Sequence, residues 1–409
     1  MSEKLSRPIR NVIKLIFFGL IIKGAEMNRK SRHKNIYLLG GSSLFNDIGS
    51  EMITPILPFY ITALGGTGIA VGALSGLREG FSSLFKILGG WISDIHGKRK
   101  NFVFLGYLIS IISRFLLFLA NSWQAILMFI SLERFGKLRD PPRDAIIIES
   151  THHRGKWFGI HQMMDTSGGI IGTFLVLILF WKLNLDFKSI IFIAALISAI
   201  SLIPLIFVKE IKTKPVKRGL LEGIHKLDKK LKYFIFVTSV FTLGNFGLYM
   251  FMLMMAKQIT NSTLIPLALY ILFNLCFALF VIPFGRLSDK IGRKKILIFG
   301  YVLFFGVALF LLFCNNLLGL IILFAAYGLV YAITNSNQKA LASDLSGEMK
   351  GTAMGFFHSV IGIVNIPAGI IAGILWDINP RVMFWYISAI ALISVIFLLF
   401  VKEKGEYKK

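Results

Sequence analysis

Long apolar segments follow one another along almost the whole chain, with only brief polar breaks between them. The segments 170–181, 190–208 and 390–401 are typical, since nearly every residue in them is apolar. A helix needs about 20 mostly apolar residues to cross the hydrocarbon core of a bilayer. The pattern predicts twelve such helices, at residues 36–64, 67–92, 101–120, 122–149, 156–181, 187–208, 232–257, 263–285, 296–315, 317–341, 352–376 and 381–401.

The composition excludes a water-soluble protein. Of the 409 residues, 55% are hydrophobic and 16% are charged, and the mean hydropathy is +0.72. Soluble proteins carry about 25% charged residues. The predicted fold class is therefore an all-α membrane protein, and the apolar segments leave no room for a soluble domain.

The net charge of +24 is concentrated on alternate connections between the predicted helices. Basic residues cluster at 98–100, at 209–232 and at 286–295, whereas the connections 65–68 and 120–122 carry none. Exceptions are Lys182, Lys188, Lys257 and Arg381. This alternation follows the positive-inside rule and predicts that both termini are cytoplasmic, in a bacterial inner (plasma) membrane. It does not favour nucleic-acid binding.

The domain boundaries follow from the same pattern. The predicted units are a basic cytoplasmic segment 1–35, a six-helix bundle 36–208, a cytoplasmic linker 209–231, a second six-helix bundle 232–401 and a basic tail 402–409. The apolar stretch 11–22 is too short to span the membrane and is typical of an interfacial helix, although a signal-peptide core has similar composition. Either Met1 or Met27 fits as the start of the protein.

The two predicted bundles repeat each other. A glycine and aspartate motif followed by basic residues occurs between the second and third helix of each bundle, at an offset of 195 residues. At this offset lie Gly90, Asp94 and Gly97 in the first copy and Gly285, Asp289 and Gly292 in the second, and the basic residues that follow include Arg99 and Arg293. Both copies lie at the basic side, so the repeats are parallel. Parallel repeats imply a pseudo-two-fold axis along the membrane normal, with a cavity between the halves.

This duplicated motif, with the twelve helices and the long basic linker, resembles the major facilitator superfamily over residues 36–401. The resemblance implies a monomeric secondary transporter in which the eight motif residues form a cytoplasmic latch that favours one conformation. The segment 133–165 is similar to a bacterial subgroup of that superfamily without a settled substrate. Gly159, Gly168 and Gly172 match the spacing of the family's antiporter motif, but Thr173 occupies its proline position, so the direction of transport stays open.

Ionisable residues are unusually dense within the predicted helices of the first bundle. Such residues are costly in a membrane and are functional candidates by default. The candidates for proton coupling or substrate binding are Asp47, Glu51, Arg78, Glu79, Arg114, Glu133, Arg134, Arg139, Asp140, Arg143, Asp144, His161 and Asp165. Two interpretations compete, since the charges form either a paired scaffold or a site in which an acid, Glu51 ahead of Asp47, carries protons. The arginines also suit an anionic substrate.

The sequence contains no catalytic spacing, metal cluster or phosphate-binding glycine loop. Neither an enzyme nor a cofactor is predicted. The favoured function is proton-coupled transport of a small solute by alternating access. Export of drug-like or siderophore-like compounds, uptake of an organic anion, and a membrane sensor with a transporter fold remain alternatives. The expected partners are a small-molecule substrate, protons and the lipid bilayer, with no nucleic acid.

Overall fold

The structure is a computed structural model that describes residues 34–151, 154–210, 227–346 and 350–402. Within these ranges the chain is helical, in twelve helical spans joined by short connections. The predicted basic N-terminal segment up to residue 33, most of the linker and nearly all of the tail lie outside the described residues.

The N-terminal half contains six spans. Span 1 is α1, a 3-10 turn and α2, span 4 is α5, a 3-10 turn and α6, and span 6 is α8 and α9. The helices are α1 Lys34–Ile53, α2 Leu57–Ala63, α3 Gly68–His96, α4 Arg99–Phe118, α5 Trp123–Phe135, α6 Asp140–Glu149, α7 Arg154–Leu183, α8 Phe187–Ala199 and α9 Leu202–Ile206.

The C-terminal half contains six further spans. Span 7 consists of α10 and α11, and spans 8 to 12 are one helix each. The helices are α10 Lys229–Gly244, α11 Tyr249–Thr260, α12 Leu264–Ile291, α13 Arg293–Leu311, α14 Leu317–Leu345, α15 Lys350–Ile378 and α16 Pro380–Leu399.

Four spans are interrupted, namely 1, 4, 6 and 7, and a proline or a glycine lies at the breaks in spans 1, 4 and 7. Pro55 lies at the start of the 3-10 turn in span 1, and the pair Pro141 and Pro142 begins α6 in span 4. Proline removes a backbone donor and interrupts the helical ladder. Span 7, which the sequence predicted to be continuous, breaks after Gly244, and Gly247 there has a φ of 90°. This left-handed conformation favours glycine, because it lacks a Cβ.

Nine helical segments of the described chain are long and apolar enough to cross a membrane by length and composition. The other three spans are 1, 2 and 4, which carry most of the ionisable candidates. Their charge lowers their hydropathy, yet they pack among the apolar spans and complete the predicted twelve-helix fold. The predicted fold class is confirmed.

The halves approach most closely where α3 crosses α15. A Cβ on Gly72 would collide with the carbonyl oxygen of Gly369, and one on Gly76 would lie 2.7 Å from the carbonyl oxygen of Asn365. Glycine at these positions lets the two backbones touch. The same principle joins α1 to α7, where Gly168 packs against the backbone of Leu44. Two glycines of the incomplete antiporter spacing, Gly168 and Gly172, thus serve helix packing.

The two ends of the bundle differ. We define the basic end as the one with the connections at 97–98, 151–153 and 292, and the opposite end as the one with the connections at 64–67, 119–122 and 379. At the opposite end the halves are joined, since Asp377 accepts hydrogen bonds from the backbone N–H groups of Gly68 at 2.6 Å and Ile69 at 3.0 Å.

Toward the basic end the halves are separated by a solvent-accessible space. Glu79 of α3 and Lys339 of α14 are both exposed, although each lies within a membrane span. The charged groups that act on Lys339 are Lys86 and Glu79, which belong to the other half. The structure is therefore open toward the basic end and closed at the opposite end.

Candidate functional site

A carboxylate and a tyrosine meet where the two halves face each other within their membrane spans. The Tyr270 hydroxyl of α12 donates a hydrogen bond of 3.0 Å to Oε2 of Glu51 in α1. The Thr54 hydroxyl lies 3.5 Å from the other carboxylate oxygen, Oε1. Arg78 donates to that Thr54 hydroxyl at 2.7 Å. Arg78 thus makes no direct contact with the carboxylate, although its charge acts on Glu51.

Glu51 and Asp47 are acids without an ion pair in the part of the chain that the structure describes. No Lys, Arg or His nitrogen there lies within 4.0 Å of either carboxylate. Asp47 accepts a hydrogen bond of 3.0 Å from the Asn46 amide. The cations that act on it, Lys137 and Arg139, lie farther away, and the acid Asp165 acts on it as well. These two acids differ from most of the other acidic candidates, which have direct cationic partners.

Glu133 is held between two arginines within the N-terminal half. Its Oε1 lies 2.8 Å from Arg114, and its Oε2 lies 2.6 Å from Arg134. Arg114, which is 1% exposed, also donates to Asn46 and Ser198. With these protein groups as partners, Arg114 and Glu133 are positioned as a scaffold that joins α1, α4, α5 and α8.

Asp140 is the centre of a second charged cluster, close to the basic end. Four cations surround its carboxylate at 3.4 to 3.8 Å, namely Lys86, Lys137, Arg139 and Arg143. Arg139 also lies 4.3 Å from the centre of the Tyr107 ring and donates to Ser110. Buried charges persist in proteins when they are paired and hydrogen-bonded in this way.

Two further acids are paired with groups on their own helices. Asp144 lies 3.1 Å from Arg143, and Asp165 lies 3.6 Å from His161. Four of the seven predicted acids therefore have direct partners, and the scaffold interpretation fits these four. The remaining acids are Asp47, Glu51 and Glu79, and they lie on the helices that face the space between the halves.

The C-terminal half has a group of packed aromatic side chains that the hydropathy pattern did not single out. Tyr331 of this group is partly exposed, and the other four are buried. The ring centroids of Tyr249 and Tyr270 are 5.6 Å apart, those of Phe273 and Tyr327 are 5.5 Å apart, and those of Tyr327 and Tyr331 are 5.3 Å apart. We call these five residues the aromatic wall. Tyrosine counts as apolar in a hydropathy pattern, so the pattern concealed them.

Lys339 is a second residue that sequence reasoning missed. The predicted tenth helix ended at residue 341, which placed Lys339 at its terminus, where a lysine is ordinary. The helix α14 continues to Leu345, so Lys339 lies within the span. The one available signal was its position four residues after Asn335 and one after Gln338 in an otherwise apolar segment.

The predicted latch residues form matching ion-pair groups, one in each half. Arg99 pairs with Asp94 and Glu149, and Arg293 pairs with Asp289 at 3.1 Å and with Asp344. Both groups tie the second, third and fourth spans of their own half together. Gly97 and Gly292 have φ angles of 65° and 107°, which favour glycine in the tight turn. Gly90 packs near Pro141, and Gly285 faces open space.

The beginning of the linker contributes a residue that was not predicted. The Glu210 carboxylate accepts hydrogen bonds from the backbone N–H groups of Arg99 at 2.9 Å and Lys100 at 3.0 Å. It therefore caps the N-terminus of α4. A lone glutamate in a polar linker offers no local signal for such a contact.

Metal binding finds no support in the described ranges, where no cluster of three or more His, Cys, Asp or Glu side chains has suitable geometry. Two parallel six-helix halves, joined at one end and separated at the other, define a membrane transport protein. The sequence agrees, because residues 39–270 and 234–409 match the Major Facilitator Superfamily. The chain belongs to this family.

Similar proteins extend over nearly the full chain. It is 46% identical over 385 residues to the uncharacterized MFS-type transporter MJ1317 of Methanocaldococcus jannaschii, covering 91% of this chain and 96% of that one. It is 26% identical to the multidrug resistance protein MdtH of Proteus mirabilis, covering 85% and 90%. A mutant form of the nucleoside transporter NupG has the same fold, with a TM-score of 0.77 at 14% identity, covering 90% and 100%. The protein is a multi-pass membrane transporter of small molecules and is not an enzyme.

Proposed function

We propose that this protein is a proton-coupled secondary transporter that moves its solute by alternating access, with Glu51 as the coupling acid. The observation that carries the proposal is the position of Glu51. Its carboxylate lies within a membrane span, has no ion pair in the described chain and accepts a hydrogen bond from Tyr270 of the opposite half. Asp47, four residues earlier on α1, is the second candidate.

The physical reason is that an isolated carboxylate is costly to bury as an anion and inexpensive to bury as an acid. The Tyr270 contact joins the halves and must break when they rock apart. Its loss removes a donor from the anion, so the conformational change and the protonation of Glu51 influence each other. Ion-paired acids such as Glu133 lack this property, because their partners belong to the same half.

The substrate is proposed from the aromatic wall and from the cations near the open end. The aromatic wall suits a compound with an aromatic or apolar body, and the similar protein MdtH is named a multidrug resistance protein. This combination favours export of drug-like or siderophore-like compounds. The second candidate is uptake of an organic anion, which Lys86 and Lys339 near the open end favour.

The predicted topology completes the proposal. The basic end faces the cytoplasm of a cell whose inner membrane contains the protein, and both termini lie on that side, following the positive-inside rule. The protein acts as a monomer, and its domains are the two bundles 36–208 and 232–401. The two motif loops act as a latch, because each ion-pair group fixes the basic ends of three spans, which then move together.

Proton release on addition of candidate solutes to the purified protein in detergent tests the coupling. Wild type is compared with Glu51→Gln, Asp47→Asn and, as a control, Asp144→Asn, which neutralises an ion-paired acid. We expect a solute-triggered proton signal that Glu51→Gln abolishes and Asp144→Asn retains. Binding of a verified solute without a proton signal in wild type would contradict proton coupling. Absence of solute flux in liposomes would instead favour a sensor.

A further inference from the structure

A small cavity lies inside the N-terminal half and is formed by spans 1 to 4. It has room for about one water-sized sphere. Apolar side chains, among them Leu117 and Ile130, close part of its wall. The polar residues of the wall are Ser50, Arg78, Ser113, Arg114, Glu133 and Arg134.

The wall of this cavity contains three cations and one anion. Arg78, Arg114 and Arg134 are 6%, 1% and 7% exposed. Glu133 pairs with the latter two arginines, whereas the hydrogen bond that Arg78 donates goes to the neutral Thr54 hydroxyl. The wall itself thus has three cations and one carboxylate, and the other carboxylates that act on Arg78, those of Glu51 and Glu79, lie outside the wall. Burying cations without a carboxylate in direct contact is costly.

Each of the three guanidinium groups also retains an unused donor. The Nε–H groups of Arg78, Arg114 and Arg134 have no hydrogen-bond partner in the described structure, although all three are buried. Buried donors are normally paired with protein or with a bound species. A water molecule accepts about two hydrogen bonds and adds no charge, whereas an anion accepts several and balances the cations.

We propose that this cavity binds one small monovalent inorganic anion of the halide class, such as chloride. The space for about one water-sized sphere excludes sulfate, phosphate and organic anions. The site adjoins Glu51 through the Arg78–Thr54 contact, so an anion there and a negative charge on Glu51 oppose each other. By reciprocity, neutralising Glu51 strengthens anion binding. Binding itself does not depend on the proposed proton coupling.

Halide binding is measurable on the full-length purified protein. In gluconate buffer, chloride or bromide replaces gluconate at constant ionic strength while the Tm is recorded. We expect a saturable, halide-specific rise in Tm, because a ligand that binds only the folded state stabilises it. Crystals grown in bromide should show an anomalous peak within the cavity. An equal Tm in halide and gluconate together with an empty cavity in the bromide crystals would show that only water fills it.

Two variants and a control locate the site and its link to Glu51. Arg78→Gln removes one cation of the wall and should weaken halide binding roughly tenfold or more. Glu51→Gln should strengthen it. Arg381→Gln, which removes an exposed cation at the opposite end, should leave it unchanged. Equal halide affinity in all three variants would overturn the proposal. If Arg78→Gln does not fold, the bromide peak in wild type and the Glu51→Gln titration still decide the matter.

Discussion

The contact of Asp377 with the N-terminus of α3 should hold the opposite end of the transporter closed. Its carboxylate accepts hydrogen bonds from the backbone N–H groups of Gly68 and Ile69, across the boundary between the halves. The conformation that opens this end must lose both. Replacing Asp377 with alanine should therefore shift the equilibrium toward the conformation that is open at the opposite end.

The magnitude follows from two familiar contributions. A helix N-cap contributes about 1 kcal/mol, and a negative charge at a helix N-terminus adds roughly 0.3–1 kcal/mol, less at high salt. Asp377 is exposed, so the lower part of this range applies, about 1 kcal/mol. A change of this size alters a conformational ratio roughly fivefold.

Pulsed EPR distances in liposomes measure this ratio. Spin labels at Leu183 and Asn315, which are exposed at the opposite end of different halves, report its opening, after Cys276 and Cys314 are replaced by serine. The fraction of long distances should rise roughly fivefold in Asp377→Ala when it starts from a small value.

Asp186 provides a matched control. It is an acid at the same end that caps a helix of its own half, accepting from the Ser189 N–H at 3.3 Å. Asp186→Ala should reduce stability without changing the ratio of conformations. An unchanged distance distribution in Asp377→Ala, or an equal shift in Asp186→Ala, would show that Asp377 does not hold the opposite end closed.

Three further predictions concern helix packing, the linker and the aromatic wall. Gly72→Ala should separate α3 from α15, because the new Cβ collides with the Gly369 carbonyl, and should increase the fraction of molecules that EPR shows open at the opposite end. The control Gly159→Ala, whose Cβ meets open space, should leave this fraction unchanged. Glu210→Gln should lower the Tm in detergent by about 1–3 °C, because the cap on α4 becomes weaker. Lys209→Gln is the neighbouring control, and an equal Tm in the two variants would disprove the capping role. Tyr331→Leu should weaken the binding of aromatic solutes roughly fivefold and leave the binding of non-aromatic solutes unchanged, because stacking contributes about 1 kcal/mol. Calorimetric titration measures the affinity for both kinds of solute. An equal loss of affinity for both would contradict the aromatic wall as a substrate surface.

The sequence by itself determined the spans and their repetition. Hydropathy depends on a short window of residues, so the twelve segments and the duplicated motif at Asp94 and Asp289 are readable without any knowledge of packing. Their positions agree with the helices to within a few residues at most ends. Local chemistry also revealed the interruption at Pro141 and Pro142, since proline disturbs a helix wherever it lies within one.

Tertiary structure decided which charges are paired and which remain available. Glu133 forms an ion pair with Arg114 on another helix, and Glu51 accepts a hydrogen bond from Tyr270, which is 219 residues away in the chain. The break in span 7 likewise depends on a contact between helices, in which the Phe246 carbonyl accepts from the Ser75 hydroxyl of α3. Such contacts depend on which helix faces meet, and this is set by close packing between distant segments, for which a single sequence contains no local signal.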